Sequence, residues 1–449
     1  MSLKSAAKER REAKAFPNGY VMSMKFIIQG GSRLEGEVFI SGMKNAALPI
    51  LFATILVGEP CILENIPNVS DIDVTLQILE EMGASVTRLS ATSVQIDTAN
   101  FNQGTAPYAL VKRMRASTYL LGAELGRFHK ACVGWPGGCN FGSRPIDQHM
   151  KGFEALGAVS TTDSGCIRLS AEEGLVGKSI YFDMVSVGAT VNIMLAATLA
   201  EGVTVIDNAA REPHIVDLAN FLNSCGASIS GAGTSVIKIR GVSELHGCRY
   251  TIIPDMIEAG TFMVAAAATG GTVTVRSIIP KHVESVTAKL CEMGVGVEEL
   301  DDAVIVSPAT ELQNVNIKTL PYPGFPTDMH PQFAPLLCLA NGISCIQEGV
   351  FETRFRYVEE LRKMGVSAMV DSRNATFVGG GKLTGAPVDA MDLRAGAALV
   401  IAGLAAEGRT EIGGVQYINR GYDNLVGKLR ALGAKIEVVD LPSDEEILE

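Results

Sequence analysis

Charged and polar residues stand where apolar helices open. Lys44-Asn45 precedes one Ala/Leu/Ile-rich run, and Met114-Arg115-Ala116-Ser117 precedes another. Ser186-Val187-Gly188, Asp255 with Glu258, Thr327-Asp328 and Asp392 with Arg394 open four more. Further cations, Arg144, Arg211, Lys281, Arg354 and Arg420, fall in loops that open a second set of helices. Unpaired N–H groups and the helix dipole make a helix N-terminus attractive to anions. In a chain of formal net charge −11, cations gathered at one end of its helices point to a phosphate or carboxylate ligand. Any one of these residues alone is also explained as a helix-end cap or a solvated surface charge. That explanation suits single residues better than the whole set.

A second kind of chemistry is offered by the run 135–145, Trp-Pro-Gly-Gly-Cys-Asn-Phe-Gly-Ser-Arg-Pro. Glycines flank Cys139 on both sides, and Arg144 follows five residues later. This reads as a mobile lid carrying a reactive thiol, against the plainer reading of a flexible loop with an incidental Cys.

The elements that must position these residues show themselves as a repeat. A hydrophobic–Gly–small triplet recurs with its glycine at 83, 157, 226, 294, 365 and 433, at separations of 74, 69, 68, 71 and 68. The first copy displays the unit: a strand over 38–41, an apolar helix over 46–56, a strand over 61–66, then a second helix. That helix has Ser70 as a candidate N-cap, with Asp73 three residues on. Ile72, Leu76, Leu79 and Met82 fall at helical spacing, and Gly83 suits a left-handed C-terminal cap. Two strands, 85–89 and 93–96, close the unit. The pattern predicts an α/β protein of two domains, each three copies of a strand–helix–strand–helix–strand–strand unit with threefold pseudosymmetry. Helix starts from the two domains would then ring a shared cleft. By position the strand before Lys44 belongs to the first unit, yet it could equally complete a sheet of the last three units.

Bulk properties narrow the class. A length of 449 residues suits two cores better than one. The acidic balance argues against nucleic-acid and membrane-surface roles. Apolar runs such as 191–200 and 395–406 are too short to span a bilayer and read as buried helices. The nine Cys are odd in number and scattered, with no Cys-x-x-Cys, which reads as a reduced cytosolic chain without a Cys-based metal site. The six His show no paired ligand spacing. Gly174 to Ser179 ends like a phosphate loop but lacks the four residues between its glycines, and Gly137 to Gly142 has Cys139 where a dinucleotide fingerprint needs Gly. Residues 1–22 read as a disordered extension and 440–449 as a frayed tail.

Lys44-Asn45-Ala46-Ala47-Leu48-Pro49, Met114-Arg115-Ala116-Ser117, Pro136-Gly137-Gly138-Cys139 with Arg144-Pro145, Ser186-Val187-Gly188-Ala189-Thr190, Phe325-Pro326-Thr327-Asp328 and Arg420-Gly421-Tyr422 together resemble a known family. They look like the UDP-N-acetylglucosamine 1-carboxyvinyltransferases, the enolpyruvyl transferases of peptidoglycan synthesis. The resemblance runs from about Met24 to about Val439. It implies an inside-out α/β barrel of enolpyruvyl transferase type in each domain. It divides the chain into 44–253, binding UDP-sugar, and 23–43 with 254–449, carrying much of the catalysis, with the active site between. It implies a bacterial cytoplasmic enzyme that takes phosphoenolpyruvate and UDP-N-acetylglucosamine and needs no metal or organic cofactor.

Carried over by position, Lys44, Asn45, Arg144, Arg394 and Arg420 would meet phosphoenolpyruvate. Asn45, Arg115, Arg144, Pro145, Ile146, Asp147, Gln148, Ser186, Val187 and Gly188 would line the UDP-sugar site. Asp328, Val350 and Phe351 would meet the sugar from the second domain. Asp328 resembles the family's base for the sugar hydroxyl, and Cys139 its general acid and fosfomycin-alkylated thiol. A free thiol with a pKa of roughly 8.5 is mostly protonated at neutral pH, as an acid must be. Lys44 and Arg420 would stabilise the moving negative charge. Met43, Met184, Met256, Tyr417 and Asn419 depart from the family pattern. The Cys139 run and the 186–190 motif argue against the sister activity, 5-enolpyruvylshikimate-3-phosphate synthesis. The intact set of candidate catalytic residues argues against a non-catalytic UDP-sugar-binding regulator.

Overall fold

Helices made mostly of apolar residues belong in the interior, and among the described residues six such helices organise this molecule. The computed structural model describes residues 24–102, 104–137, 145–163 and 165–440. Lys44–Val57, Tyr119–Phe128 and Val187–Ala197 pack on one another as one buried trio. Met256–Thr269, His330–Leu339 and Leu393–Ala405 form a second. Each fully buried Leu, Ile or Phe in these trios contributes about 1.5–3 kcal/mol of transfer free energy. The runs at 191–200 and 395–406 lie within or at the ends of two of these helices, and among the described residues no helix is long and apolar enough to cross a membrane. The second helices, such as Ser70–Glu81, Pro213–Ser224 and Glu284–Glu292, are amphipathic and bury one face.

Among the described residues, six sheets wrap the two trios. Their strands alternate buried and exposed residues, as Val236–Arg240 and Asn374–Val378 do, because one face meets the helices and the other meets water. The helices are therefore inside and the sheets outside. The recurring glycines all adopt left-handed φ between 85° and 100°, so each ends its helix as the spacing predicts.

The sheets decide one pairing that the sequence leaves open and correct its reading elsewhere. The strand Glu35–Phe39 stays out of the sheet of the first unit. It pairs in parallel with Thr272–Arg276, while Arg249–Thr251 pairs in parallel with Cys61–Glu64. The units at 44 and 256 have exchanged their leading strands. The two crossing segments lie side by side, with Met43 N–H bonding Ile253 O at 2.7 Å and Asp255 N–H bonding Ser41 O at 2.9 Å. Met24–Gln29 inserts between Arg409–Gly413 and Lys435–Asp440, antiparallel to both, and completes the last sheet. Asp440 therefore belongs to a strand, paired with Met24; residues 441–449 and 1–23 lie outside the described residues.

The second unit shows no leading strand among its described residues. A short helix, Tyr108–Val111, and a 3-10 turn, Arg115–Thr118, stand there instead, and its sheet has three strands. Proline at 107 favours this helical start over continued pairing. Ser70 is the first residue of its helix rather than the cap. The cap is Val69, whose side chain carries no hydrogen-bond acceptor, and the Ser70 N–H bonds Asn419 O at 3.1 Å.

Candidate active site

Lys44 opens the first buried helix, and its own neighbours dictate where its charge goes. The helix behind it offers no acidic residue, so its ammonium needs a partner outside that helix. Asp71, in the first turn of Ser70–Glu81, supplies it: Lys44 Nζ donates to Asp71 Oδ2 at 3.0 Å. Arg420 donates to the same carboxylate, Nε to Oδ1 at 2.9 Å and Nη2 to Oδ2 at 3.4 Å. Burial alone would raise the Asp71 pKa, but Lys44 and Arg420 outweigh it and hold the carboxyl below its ordinary range. Asn68 N–H bonds Asp423 Oδ2 at 2.9 Å beside this trio. Arg420 reaches it because the last outer helix is broken into Val415–Ile418 and Leu425–Ala431, with the Arg420-Gly421 turn between them.

Gly421 explains itself by contact. A methyl at that position would sit 2.6 Å from Leu393 Cδ2 and 3.4 Å from Lys44 Nζ. The glycine therefore lets three pieces of chain converge. Next to Leu393 is Arg394, buried at the start of Leu393–Ala405, a helix capped by Asp392 through the N–H groups of Arg394 and Ala395. Arg394 donates to Asp328 Oδ2 from Nε at 3.2 Å and Nη2 at 3.1 Å, and its guanidinium lies 5.5 Å from the centre of the Tyr422 ring. Its Nη1 is buried with no partner among the described residues.

Asp328 precedes its helix, in a turn two residues ahead of His330–Leu339. Arg354 donates to its other oxygen, Nη2 to Oδ1 at 2.6 Å, and to Thr327 Oγ1 from Nη1 at 2.8 Å. Burial would raise the Asp328 pKa, but Arg394 and Arg354 drive it far below the usual carboxylate range. Glu348 ties the arrangement down. It accepts from Thr327 Oγ1 at 2.8 Å and from the Val350 and Phe351 N–H groups at 2.6 and 3.0 Å, and it lies 3.1 Å from His330 Nε2. Burial pushes Glu348 up, but the contact with His330 and these donors hold it at about 2. The Phe351 ring lies under the Arg354 guanidinium at 5.1 Å. His214, from Pro213–Ser224, is pushed down to about 4 by burial, with the Asp328 charge opposing that shift.

The remaining sequence-predicted residues fall into a second patch. Ile146 caps Asp147–Ala155, and Gln148 in its first turn bonds Asp147 Oδ2 at 2.8 Å, Asp183 Oδ2 at 3.2 Å and the Asp183 N–H at 3.0 Å. Those bonds draw the 147–148 turn against the loop that leads to Ser186. Ser186 caps the next helix by accepting from Ala189 N–H at 3.3 Å, with Val187 and Gly188 in its first turn. A methyl on Gly188 would meet His149 Nε2 at 2.7 Å, so the glycine admits that ring. Pro145 is exposed, Asn45 is half-buried beside Lys44, and Arg115 is half-buried at the start of its 3-10 turn. Cys139 and Arg144 lie outside the described residues.

Sequence spacing missed Asp71 and Glu348, and gave Arg354 only as a loop cation. An acidic residue in a helix's first turn was the signal for Asp71; nothing local marks Glu348. Of the other loop cations, Lys281 pairs on the surface with Glu284 and stays outside the cluster. Gly174 to Ser179 runs into the strand Ser179–Tyr181, not a helix, so no phosphate loop forms there. The cysteines are not scattered in space: Cys61, Cys225 and Cys248 bring their sulfurs within 4.8 Å of one another, which spacing along the chain could not reveal.

Chemically, Lys44, Arg354, Arg394 and Arg420 surround two carboxylates, Asp71 and Asp328. The surplus of positive charge suits a polyanion, and the anion would compete with each carboxylate for its cations.

A family model described as EPSP synthase (3-phosphoshikimate 1-carboxyvinyltransferase) matches residues 28–429. The chain is 57% identical over 412 residues to UDP-N-acetylglucosamine 1-carboxyvinyltransferase 3 of Caldanaerobacter subterraneus, across 92% of this chain and 98% of that one. It is 55% identical over 413 residues to UDP-N-acetylglucosamine 1-carboxyvinyltransferase of Clostridium botulinum, across 92% and 99%. Its fold is similar to that of the enolpyruvyl transferase NikO from Streptomyces tendae, with a TM-score of 0.84 at 27% identity, over 94% of this chain and 100% of that one. EPSP synthase from Acinetobacter baumannii shares the fold with a TM-score of 0.73 at 20% identity, over 93% and 100%.

Proposed function

The chain belongs to the UDP-N-acetylglucosamine 1-carboxyvinyltransferase family, and from that membership we propose that it moves the enolpyruvyl group of phosphoenolpyruvate onto the 3′-hydroxyl of UDP-N-acetylglucosamine, releasing phosphate. The observation that carries the reading is the pair of carboxylate-held cation clusters meeting at Gly421. Phosphoenolpyruvate carries a phosphate and a carboxylate close together, and two adjoining cation clusters match two adjoining anions.

The sugar oxygen attacks C2 of phosphoenolpyruvate while C3 takes a proton. A proton then leaves C3 and the bond from C2 to the phosphate oxygen breaks. Lys44, Arg420 and Arg394 hold the two anionic groups, with Asn45 beside them and Arg144 joining from its loop. As the anion draws Arg394 away, Asp328 loses one of the charges that keep it a weak base, so substrate binding itself readies the carboxylate to take the hydroxyl proton. Cys139 supplies the acid. Arg115, the run Pro145-Ile146-Asp147-Gln148 and Ser186-Val187-Gly188 receive the nucleotide sugar on one side, and Val350 and Phe351 with Asp328 on the other.

We divide the chain into 44–253 and 23–43 with 254–449, the substrates meeting between the two parts. The setting is peptidoglycan synthesis in the bacterial cytoplasm, with phosphoenolpyruvate and UDP-N-acetylglucosamine as the small-molecule partners. The test is phosphate release from phosphoenolpyruvate with UDP-N-acetylglucosamine, with shikimate 3-phosphate, and with no acceptor, in wild type and Cys139→Ala. Release that depends on the sugar nucleotide and collapses in the variant supports the reading. Release with shikimate 3-phosphate instead transfers the chain to the sister activity.

A further inference from the structure

We propose that Cys61, Cys225 and Cys248 form a binding site for one thiophilic d10 cation, zinc(II) or copper(I), away from the candidate active site. The three residues come from three separate elements. Cys61 begins the strand Cys61–Glu64, Cys248 stands just before the strand Arg249–Thr251, and Cys225 is the C-cap of Pro213–Ser224. All three thiols are free. Their sulfurs lie within 4.8 Å of one another, and Cys225 Sγ is 3.4 Å from Cys248 Sγ. A tetrahedral metal with bonds of about 2.3 Å to sulfur places its thiolates about 3.8 Å apart, inside that range.

The backbone holds the three in place without a metal. Ile62 N–H bonds Cys248 O at 2.8 Å, fixing the two strand starts side by side. His246 N–H bonds Cys225 O at 2.9 Å, and Cys225 N–H bonds Phe221 O and Leu222 O. Gly247 N–H bonds Glu59 Oε2 at 2.8 Å, and a methyl there would lie 2.2 Å from Pro60 O, so the 246–248 turn is pressed against 59–61. Such a preformed site loses little order on loading.

Burial decides the class of ligand. Cys61 and Cys225 are wholly buried, and only Cys248 reaches the surface. Three sulfur donors select soft cations over magnesium or calcium. Among the described residues no His, Asp, Glu or further Cys joins the cluster. Zinc would therefore take a water in its open fourth position on the Cys248 side, whereas copper(I) would need no fourth ligand. Packing of the three thiols as small hydrophobes is the plainer alternative, and it leaves Cys248 partly at the surface.

The place matters because Arg249–Thr251 leads directly into the crossing segment at Ile253 to Asp255, which bonds Met43 and Ser41 next to Lys44. A metal would fasten the root of that crossing to the outer helix Pro213–Ser224.

The full-length chain, reduced and stripped of metal, is titrated anaerobically with zinc(II) and separately with copper(I) against chromophoric chelators. Stoichiometry is read by native mass spectrometry, and cobalt(II) substitution reports thiolate-to-metal charge transfer. All variants carry Cys139→Ser so that the loop thiol cannot contribute. One tightly held metal per chain in either arm is expected, with a raised Tm. Cys248→Ser and Cys225→Ser should each weaken it by more than about 100-fold, beyond the loss that removing an outer-shell partner brings. Cys248 is partly exposed, so its variant decides the matter if Cys225→Ser fails to fold. No retained metal in either arm, equal affinity in the variants, or pairing of Cys225 with Cys248 as a disulfide under these reducing conditions would overturn the proposal.

Discussion

Arg420 donates to the Asp71 carboxylate at 2.9 Å across 349 positions of sequence, and through it the last unit of the chain is tied to the first. The bond gathers Lys44 and Arg420 around one carboxylate. Asp71→Asn removes the shared charge while keeping the shape. Leaving Lys44 and Arg420 without it should cost about 3–5 kcal/mol, the range for breaking a buried ion pair. Urea denaturation would measure that loss, and steady-state kinetics should show a raised KM for phosphoenolpyruvate. Unchanged stability would remove Asp71 as the organiser of the two cations.

The Asp71 pKa is depressed, so its contribution to stability is present above the unfolded carboxylate pKa. It is lost as pH falls through the lower folded value. Glu124 behaves oppositely. Burial raises it to about 8, offset only by the Cys132 N–H. Its stabilising effect is full below the unfolded pKa of about 4.3 and is lost as pH rises toward 8. Glu124→Gln should flatten the pH dependence of the urea midpoint in that window and stabilise the protein at pH 8.

Arg354 is a positioning residue: it bridges Thr327 and Asp328 with two nitrogens, a span an ammonium cannot copy. Arg354→Lys should lower kcat by about 10- to 100-fold, the scale of losing a supporting contact to a working group. The acid limb of the pH–rate profile should also move to higher pH, because an ammonium at 354 cannot keep the guanidinium's close hydrogen bond to Asp328 and so depresses its pKa less. A lower rate with an unmoved acid limb would mean that Arg354 serves the fold alone.

Gly421→Ala inserts a methyl 2.6 Å from Leu393 Cδ2 and 3.4 Å from Lys44 Nζ. Overpacking of this kind costs about 1–3 kcal/mol. The expected result is a folded protein with Tm lowered by a few degrees and a raised KM for phosphoenolpyruvate. Wild-type kinetics would show that the two cation clusters do not depend on this close approach.

The sequence reading succeeds where the physics is local. Gly83 and its five counterparts declare helix ends because left-handed φ favours glycine, and the all-apolar runs behind Lys44 and Arg394 declare buried helices. It stops short where the partner is remote. Nothing near Glu35–Phe39 chooses between Thr272–Arg276 and its own unit, since either sheet satisfies the same alternation, and the sequence leaves both pairings open. Asp71 looks like an ordinary first-turn acid until the fold brings Arg420 to it. Glu348 sits after a strand with no marker, and its importance comes from Thr327, His330 and the 350–351 turn around it. The three cysteines at 61, 225 and 248 meet only because Arg249–Thr251 joins the sheet of Cys61–Glu64.

The most direct test of enolpyruvyl transfer is the reaction of the wild-type chain with phosphoenolpyruvate and UDP-N-acetylglucosamine in D2O, with phosphate counted and the product examined by NMR. The account predicts one phosphate released for each new enolpyruvyl ether at the 3′-oxygen, with deuterium appearing at the vinyl carbon because C3 gains and loses a solvent proton on the way. A folded protein that releases no phosphate, or releases it without forming that ether, would contradict the account.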